Sequence, residues 1–393
     1  MSSSRSRRRC AALVAALASP AGALASPAGV RVAIGQDLWS IRNYTARFGA
    51  PDAVMSYASI GNLSGLWSPT DYGSGVEYAD GALAGLPART ALQLGLELKG
   101  HEAALSRGDL DANVDALVAY VASLAPRHVL VRIGYEFDMP GNLYVPEAYK
   151  AAYRVVAEAL ADAPNAFRVW HSWSFAPWEA DGGRGVGAWY PGDGLVDYCG
   201  VSVFQQAYGD SELGDLTYAH AMADFCDEKR IPLIIAESTP FGAGVVEPYG
   251  TLWARWFEPT LRFAIARRVV LWSYIDCDWD SQPMWRGMGW GDSRLEVRDA
   301  LAAKWEYDVL DPYPNATRAF FSRVSAARPP GLGRREAVYL ACYLPVLGLF
   351  IAFLMPAPEE RTRPRAASSI DEGHRRPFVL ASPEAATVKL SDS

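Results

Sequence analysis

Eight short, mostly apolar runs recur along the chain between residues 30 and 274. They are Val30–Gly35, Ala53–Tyr57, Ala91–Leu96, His128–Gly134, Phe167–His171, Val196–Phe204, Ile231–Glu237 and Val269–Tyr274. Most are continuous apolar runs rather than alternations of apolar and polar residues, and this is the pattern of parallel strands that are buried on both faces. The chain therefore predicts eight buried parallel strands.

Amphipathic segments separate several of these runs and predict helices. The segments are Leu110–Leu124, Pro146–Ala163, Leu216–Lys229, Pro248–Arg267 and Arg294–Trp305. Repeated strand–helix alternation is typical of α/β folds, and eight units match one closed (β/α)8 TIM barrel. An open, doubly wound sheet also alternates in this way, but no Gly-x-Gly-x-x-Gly motif follows the first run. We therefore predict a TIM barrel.

The two ends of the chain predict targeting segments. A basic head and the apolar run Cys10–Ala25 indicate a secretory signal over residues 1–25. Ala337–Met355 is a run of 19 uncharged residues, which is long enough to cross a bilayer as a helix. We expect a barrel over 26–305, a stalk over 306–336, a transmembrane helix over 337–355 and a disordered cytoplasmic tail over 356–393. This organisation predicts a single-pass type I protein of the cell membrane, with an extracellular or luminal barrel that is glycosylated at its Asn-x-Ser/Thr sites.

Charge and cysteine content limit the partners. The formal net charge is −7, which argues against nucleic acid as a partner, and we expect a monomer. No Cys/His cluster has zinc-site spacing, so we expect no metal and no other cofactor. Of the three cysteines in the predicted barrel, Cys199 and Cys226 lie in a strand and the following helix, and we hypothesise a disulfide between them. Strand–helix spacing is often too large for a disulfide, so two free thiols are the alternative.

Two carboxylates occupy predicted strand ends, where TIM barrels carry their catalytic residues. The fourth run ends with Arg132, Gly134 and Glu136 on one face of an alternating strand, and the seventh ends with Glu237 after six uncharged residues. A buried acid at such a place needs a partner or a function. Each Glu taken alone is equally well explained as a satisfied ion pair. Together they suit retaining glycoside hydrolysis, in which one carboxyl group protonates the leaving oxygen and the other attacks the sugar.

Three segments carry a family resemblance. They are Phe167-Arg-Val-Trp-His, Trp189-Tyr-Pro-Gly-Asp-Gly-Leu-Val-Asp-Tyr-Cys-Gly-Val-Ser and Pro232-Leu-Ile-Ile-Ala-Glu. From about Val30 to Trp305, the chain resembles glycoside hydrolase family 26, a β-mannanase-like family of the clan A barrel glycosidases. The resemblance implies that Glu136 is the acid/base and Glu237 the nucleophile. It also implies an O-glycosyl hydrolase that acts on a β-linked polysaccharide such as a mannan or a β-glucan.

The chain departs from the family pattern at three places near these acids. Tyr135 stands where the family usually has His before its acid, and Phe204 stands where it usually has Tyr at the end of strand six. Asp138-Met139 replaces the usual Asn-Gly, and Gln205, Gln206 or Tyr208 is expected to take over the contact to the nucleophile. Further strand-end residues complete the set that we expect to bind substrate, which is Arg132, Tyr135, Asp138, His171, Trp173, Phe204, Gln205, Trp272 and Trp279.

These observations lead to one expected function and two alternatives. The expected function is that of a membrane-anchored, retaining endo-glycoside hydrolase that acts by double displacement. One alternative is a non-catalytic, cell-surface glycan-binding barrel, which the changes at Tyr135 and Phe204 permit. The other is a transglycosylating enzyme of cell-wall remodelling, in which a sugar replaces water as the acceptor. Glu97, at the end of strand three, is either a third acid of the site or a partner for Arg132.

Overall fold

The computed structural model describes residues 30–174, 185–204, 216–242 and 249–310. Eight parallel strands close into a barrel in chain order, with β8 returning to β1. The strands are β1 Val32–Gly35, β2 Ala53–Ser59, β3 Ala91–Glu97, β4 Val129–Ile133, β5 Ala166–Ser172, β6 Tyr198–Val203, β7 Leu233–Ser238 and β8 Trp272–Ile275. The prediction of an eight-stranded TIM barrel is therefore confirmed.

Helices follow most of the strands. They comprise Leu38–Phe48, Ala79–Leu83, Glu102–Arg107, Asp111–Ser123, Pro146–Leu160, Thr217–Lys229, Tyr249–Leu252, Glu258–Ala266 and Asp299–Trp305, with π-helical turns at Trp253–Phe257 and Glu306–Leu310 and short 3-10 turns at Pro140–Asn142, Val186–Trp189 and Trp279–Ser281. The first helix was not among those predicted. It begins after Asp37, whose carboxylate accepts hydrogen bonds from the backbone N–H groups of Trp39 and Ser40, both at 2.9 Å.

The core has two layers because successive strand residues point to opposite faces. Side chains inside the barrel include Met55, Leu130, Val169, Tyr198 and Ile234. Their chain neighbours pack between the barrel and the helices, as Val54, Val131, Trp170, Cys199 and Ile235 do. This alternation positions the polar residues that follow the inner apolar ones, because those residues then point into the mouth of the barrel at the C-terminal ends of the strands.

A disulfide links β6 to the helix that follows it. Cys199 and Cys226 are bonded, with their Cα atoms 6.4 Å apart, within the separation that a disulfide needs. The hypothesised bridge is therefore confirmed, and the alternative of two free thiols is wrong. Cys277 is a buried free thiol, and burial raises its pKa well above the ordinary value.

Several segments were predicted outside the barrel. The prediction of a single-pass membrane protein is wrong: within the four described ranges, no helix is both long and apolar enough to cross a membrane. The longest of them, Pro146–Leu160, has 15 residues, whereas a span needs about 20. The predicted signal and the segment 337–355 lie outside the described residues. The predicted stalk starts too early, because Val309 is fully buried in the barrel core and the folded unit continues at least to residue 310.

Candidate active site

Glu237 and Arg132 form a buried ion pair across the mouth of the barrel. Glu237 is the fifth residue of β7 and is 7% exposed, and Arg132 on β4 is fully buried. The Nη1 group of Arg132 donates a hydrogen bond to Oε1 of Glu237. A buried carboxylate is tolerated when a cation pairs with it and donates a hydrogen bond to it. The sequence left open whether Arg132 pairs with Glu97 or with Glu237, and the structure shows that it pairs with Glu237.

An irregularity in β7 brings Glu237 to the mouth. Val201 on β6 pairs with Ile235, but the next residue of β6, Ser202, pairs with Glu237, so that Ala236 is an extra residue in β7. Ala236 packs inside the barrel, and strict alternation would then turn Glu237 outward. An extra residue of this kind re-aims the side chain that follows it. Glu237 thus reaches Arg132 and becomes the strand neighbour of Ser202.

Two tyrosines hold the guanidinium group of Arg132. Its Cζ atom lies 4.7 Å from the ring centroid of Tyr57 and 5.5 Å from that of Tyr135. The two rings meet edge to face at 5.2 Å. Gly95 leaves room for this packing, because a Cβ atom there would lie 2.7 Å from Nη2 of Arg132 and 2.6 Å from the Tyr57 ring. The cation is thereby fixed in a dry setting, where its interaction with Glu237 is strong.

Glu136 lies in a tight turn after β4 and is 7% exposed. The strand ends at Ile133, and both Gly134 and Glu136 have left-handed backbone conformations, with φ of 57° and 50°. Alternation along a strand, which the sequence suggested, is therefore not what places Glu136. Such a backbone is uncommon for a non-glycine residue and is often found at functional sites. The Asn142 side chain stabilises the turn by donating to the backbone oxygen of Glu136 at 2.9 Å.

The surroundings of the Glu136 carboxyl group favour its neutral form. Burial raises its pKa well above the ordinary value, and the negative charge of Glu237 raises it further. A hydrogen bond from Ser202 and the positive charge of Arg132 act in the opposite direction without reversing the shift. Ser202 donates to Oε1 of Glu136 at 2.7 Å. The two carboxyl groups thus lie at one mouth, one paired with a cation and the other in surroundings that favour its protonated form.

His171, near the C-terminal end of β5, contacts one partner of each carboxyl group. Its Nε2 is 2.9 Å from the hydroxyl oxygen of Ser202, and its Nδ1 is 3.5 Å from Nη1 of Arg132. Burial and the charge of Arg132 lower the pKa of His171 well below its ordinary value. The fully buried imidazole is therefore neutral. It contacts protein groups of the site, which favours a structural role over the predicted contact with substrate.

Asp138 shapes the loop after β5. Its carboxylate accepts hydrogen bonds from the Ser172 hydroxyl at 2.7 Å and from the backbone N–H of Trp173 at 2.6 Å. The backbone N–H of Ser174 adds a longer contact at 3.4 Å. Asp138 thus fixes the backbone that carries Trp173, a partly buried residue near the mouth. The predicted role of Asp138 in binding substrate is not one that these contacts favour.

The tryptophans predicted to bind sugar differ in their access to the mouth. The prediction for Trp272 is wrong, because this residue begins β8 rather than ending it and is fully buried between the barrel and the helices. Trp279 is 5% exposed and packs against Trp285 and Trp290. Phe204 follows directly after β6 and meets Trp290 edge to face at 5.7 Å. Partly exposed aromatic surface in this group therefore belongs to Phe204, Trp285 and Trp290.

The sequence did not predict two residues of the site, and three residues that it did predict lie outside the described residues. Tyr57 and Ser202 belong to the site, but each is a common residue type inside an apolar run. Gln205, Gln206 and Tyr208 lie outside the described residues, so their expected contact with Glu237 stays a prediction. Among the described residues, Arg132 contacts Glu237. The outcome is a closed (β/α)8 barrel with two buried, unlike carboxyl groups at its mouth.

Comparison with known proteins agrees with this class of molecule. No protein-family model matches the chain. The chain is 32% identical over 314 residues to the β-1,3-xylanase TXYA of a Vibrio species, and 30% identical over 310 residues to a β-1,3-xylanase of an Alcaligenes species. These alignments cover 72% of this chain, and 65% and 64% of the two relatives, which is just under two thirds of their length. The resemblance to glycosidases that the motifs indicated is confirmed.

Solved structures of family 26 enzymes are also similar. A modular endo-β-1,4-mannanase from Cellulomonas fimi is 17% identical, with a TM-score of 0.46 and coverage of 70% of this chain and 69% of that one. A β-mannanase from Bacteroides ovatus is 12% identical, also with a TM-score of 0.46, and coverage is 71% and 89%.

Proposed function

We propose that this protein is a glycoside hydrolase that cleaves a β-linked polysaccharide with retention of anomeric configuration. Glu136 is the acid/base and Glu237 is the nucleophile. The observation that carries the proposal is the unlike setting of the two buried carboxyl groups at one mouth. Burial and the neighbouring charge raise the pKa of Glu136, whereas Glu237 is paired with Arg132. Two carboxyl groups whose environments differ in this way are the usual mark of an acid and a nucleophile.

The first step transfers the sugar to the enzyme. The carboxylate of Glu237 attacks the anomeric carbon, and the bond from that carbon to the leaving oxygen breaks. Glu136 gives its proton to that oxygen, so that the leaving group departs as a neutral alcohol. Arg132 pairs with the nucleophile and fixes its direction until the attack. The products of this step are a glycosyl ester on Glu237 and an ionised Glu136.

The second step returns the enzyme to its starting state. A water molecule attacks the anomeric carbon of the ester, and the ionised Glu136 takes a proton from that water. The ester bond breaks and Glu237 regains its negative charge. Two inversions at one carbon give overall retention. A sugar hydroxyl group in place of water would give transglycosylation by the same steps.

The named relatives guide the choice of substrate. Both are β-1,3-xylanases, so we propose β-1,3-xylan as the first polysaccharide to test. The motif resemblance suggested mannan or β-glucan, and these come next. A substrate other than mannan is consistent with Phe204 and Tyr135, because these residues replace the Tyr and His that the motif pattern places near the two acids.

The experiment is an assay of the purified protein on β-1,3-xylan, β-1,4-mannan and β-1,3/1,4-glucan, with reducing ends as the readout. We expect the protein to cleave one of these polysaccharides. The rate of cleavage should fall by at least about 10²-fold in Glu237→Gln and in Glu136→Gln. Glu97→Gln makes the same change at the end of β3 and should keep most of the activity. Proton NMR of the first products should show the β anomer. A protein that binds these glycans but cleaves none would contradict the proposal and favour a glycan-binding barrel.

The two variants should also differ in kind. A substrate with an activated leaving group needs no proton, so Glu136→Gln should form the glycosyl ester at nearly the normal rate. Its hydrolysis should then be slow, and azide should accelerate turnover because an anion needs no general base. Azide should not rescue Glu237→Gln by this route. The opposite pattern would exchange the two assigned roles.

A further inference from the structure

A continuous path of hydrogen bonds joins the two candidate catalytic carboxyl groups. Arg132 donates to Glu237 and contacts Nδ1 of His171 through the same nitrogen, Nη1. His171 contacts the Ser202 hydroxyl through Nε2, and Ser202 contacts Oε1 of Glu136. Arg132, His171 and Ser202 are all fully buried. Bulk water therefore does not compete for these bonds.

The chemistry of arginine sets the direction of every bond in this path. A guanidinium group only donates, so Nδ1 of His171 must accept and carries no proton. In a neutral imidazole the other nitrogen then carries the proton, so Nε2–H donates to the oxygen of Ser202. Burial and the charge of Arg132 lower the pKa of His171, which keeps it neutral. The Ser202 hydroxyl group in turn donates to Oε1 of Glu136.

We propose that Ser202, directed by His171 and Arg132, is a positioning residue that keeps the acid proton of Glu136 on Oε2. Because Oε1 accepts the Ser202 hydroxyl proton, the carboxyl proton resides on the other oxygen. The same hydrogen bond stabilises the carboxylate that remains once this proton has moved to the leaving group. The inference rests on the proposed function for its catalytic meaning, but the hydrogen-bond path does not.

The fold places Ser202 for this task. The irregularity between Val201 and Ser202 sets Ser202 opposite Glu237 instead of Ala236. Gly200 allows the close approach of β5, since a Cβ atom there would lie 2.9 Å from that of Ala236 and 3.2 Å from that of His171. The charged groups that act on Glu136 are Glu237, Arg132 and Asp138, and Ser202 adds a neutral donor to this set.

The test is Ser202→Ala, with Ser273→Ala as a matched control. Ser273 is an equally buried barrel serine, but its hydroxyl donates to the neutral side chain of Gln93 at 2.9 Å. Loss of the Ser202 hydroxyl removes a bond to the ionised form of Glu136. The basic limb of the pH profile of kcat/KM should therefore move about one pH unit higher, and kcat should fall about tenfold. KM should change little, the control should move neither quantity, and Ser202→Thr should restore both.

A second readout needs no activity. The carboxyl carbon of Glu136 can be titrated by NMR in protein with ¹³C-labelled glutamate, with Glu136→Gln identifying the signal. Its midpoint should be higher in Ser202→Ala than in the wild type and the control. An unchanged midpoint in a folded Ser202→Ala protein overturns the inference, whether or not the protein cleaves a glycan. A raised midpoint in a protein that cleaves none supports the hydrogen-bond path and overturns the proposed function instead.

Discussion

The ion pair at the mouth makes the sharpest prediction about stability. Arg132→Met removes a fully buried cation and leaves the buried Glu237 carboxylate without its charge partner. Removing one member of a buried pair costs about 3–5 kcal/mol, mainly because a charge stays buried and uncompensated. Loss of the contacts with the rings of Tyr57 and Tyr135 adds to this cost. The free energy of unfolding should therefore fall by at least about 3 kcal/mol.

Urea unfolding followed by tryptophan fluorescence measures this loss. With an m value of about 3 kcal/mol/M, the midpoint should fall by about 1 M or more. The decisive comparison is the double variant Arg132→Met/Glu237→Gln, which removes the uncompensated charge as well. It should be more stable than Arg132→Met alone, with a coupling of about 2–3 kcal/mol between the two changes.

A second ion pair provides the control. Arg168 and Asp197 are joined by two 2.8 Å hydrogen bonds, but each side chain is 17% exposed and lies away from the mouth. Arg168→Met should cost less, and adding Glu237→Gln to it should recover nothing. If Arg132→Met unfolds at the wild-type urea concentration, or if Glu237→Gln fails to recover stability in its background, the argument from an uncompensated buried charge is wrong.

Three further predictions concern titration and cross-linking. Because burial and Glu237 raise the pKa of Glu136, kcat/KM for glycan cleavage should fall on the basic side only at a pH well above 4.5. The pH profile of Glu136→Gln on an activated substrate should lack this fall. Cys226→Ser removes a disulfide between cysteines that are 27 residues apart in the chain. The unfolding free energy should fall by about 3.5 kcal/mol in the loop-entropy approximation, and a reductant should cause the same loss in the wild type. Burial and Glu296 raise the pKa of Asp276, so the folded state holds this proton and loses stability as pH rises above 3.8. Asp276→Asn should therefore raise the unfolding free energy at pH 7 by about 1–3 kcal/mol. A variant that is no more stable than the wild type anywhere between pH 4 and pH 7 would contradict this.

The barrel could be predicted from the sequence because burial on both faces leaves a clear pattern. A strand covered inside and outside has no polar face, so each of the eight strands appears as a short apolar run. A carboxylate at the end of such a run stands out for the same reason, as Glu237 does after six uncharged residues. Strand ends were less clear. Val269–Leu271 is as apolar as a strand, although β8 begins only at Trp272.

The partners of the two acids could not be predicted, since they depend on how the barrel closes. Tyr57 reaches Arg132 across β3, and only the missing side chain of Gly95 permits this. Ser202 lies beside both acids because β7 carries one extra residue. The apolar sequence of that strand gives no sign of this irregularity. Left-handed backbone at Glu136 is equally hidden, because this conformation is rare for residues other than glycine.

The charge balance at the mouth explains why one arginine can serve both steps of the proposed reaction. Before attack, the pair of Arg132 and Glu237 is neutral as a whole, and Glu136 is protonated. After attack, Glu237 is an uncharged ester and Glu136 has become the carboxylate, so the positive charge of Arg132 now balances Glu136. The contact from Arg132 through His171 and Ser202 leads to that carboxylate without any group having to move. Because net charge in this buried site stays the same, neither step has to create an uncompensated charge away from water.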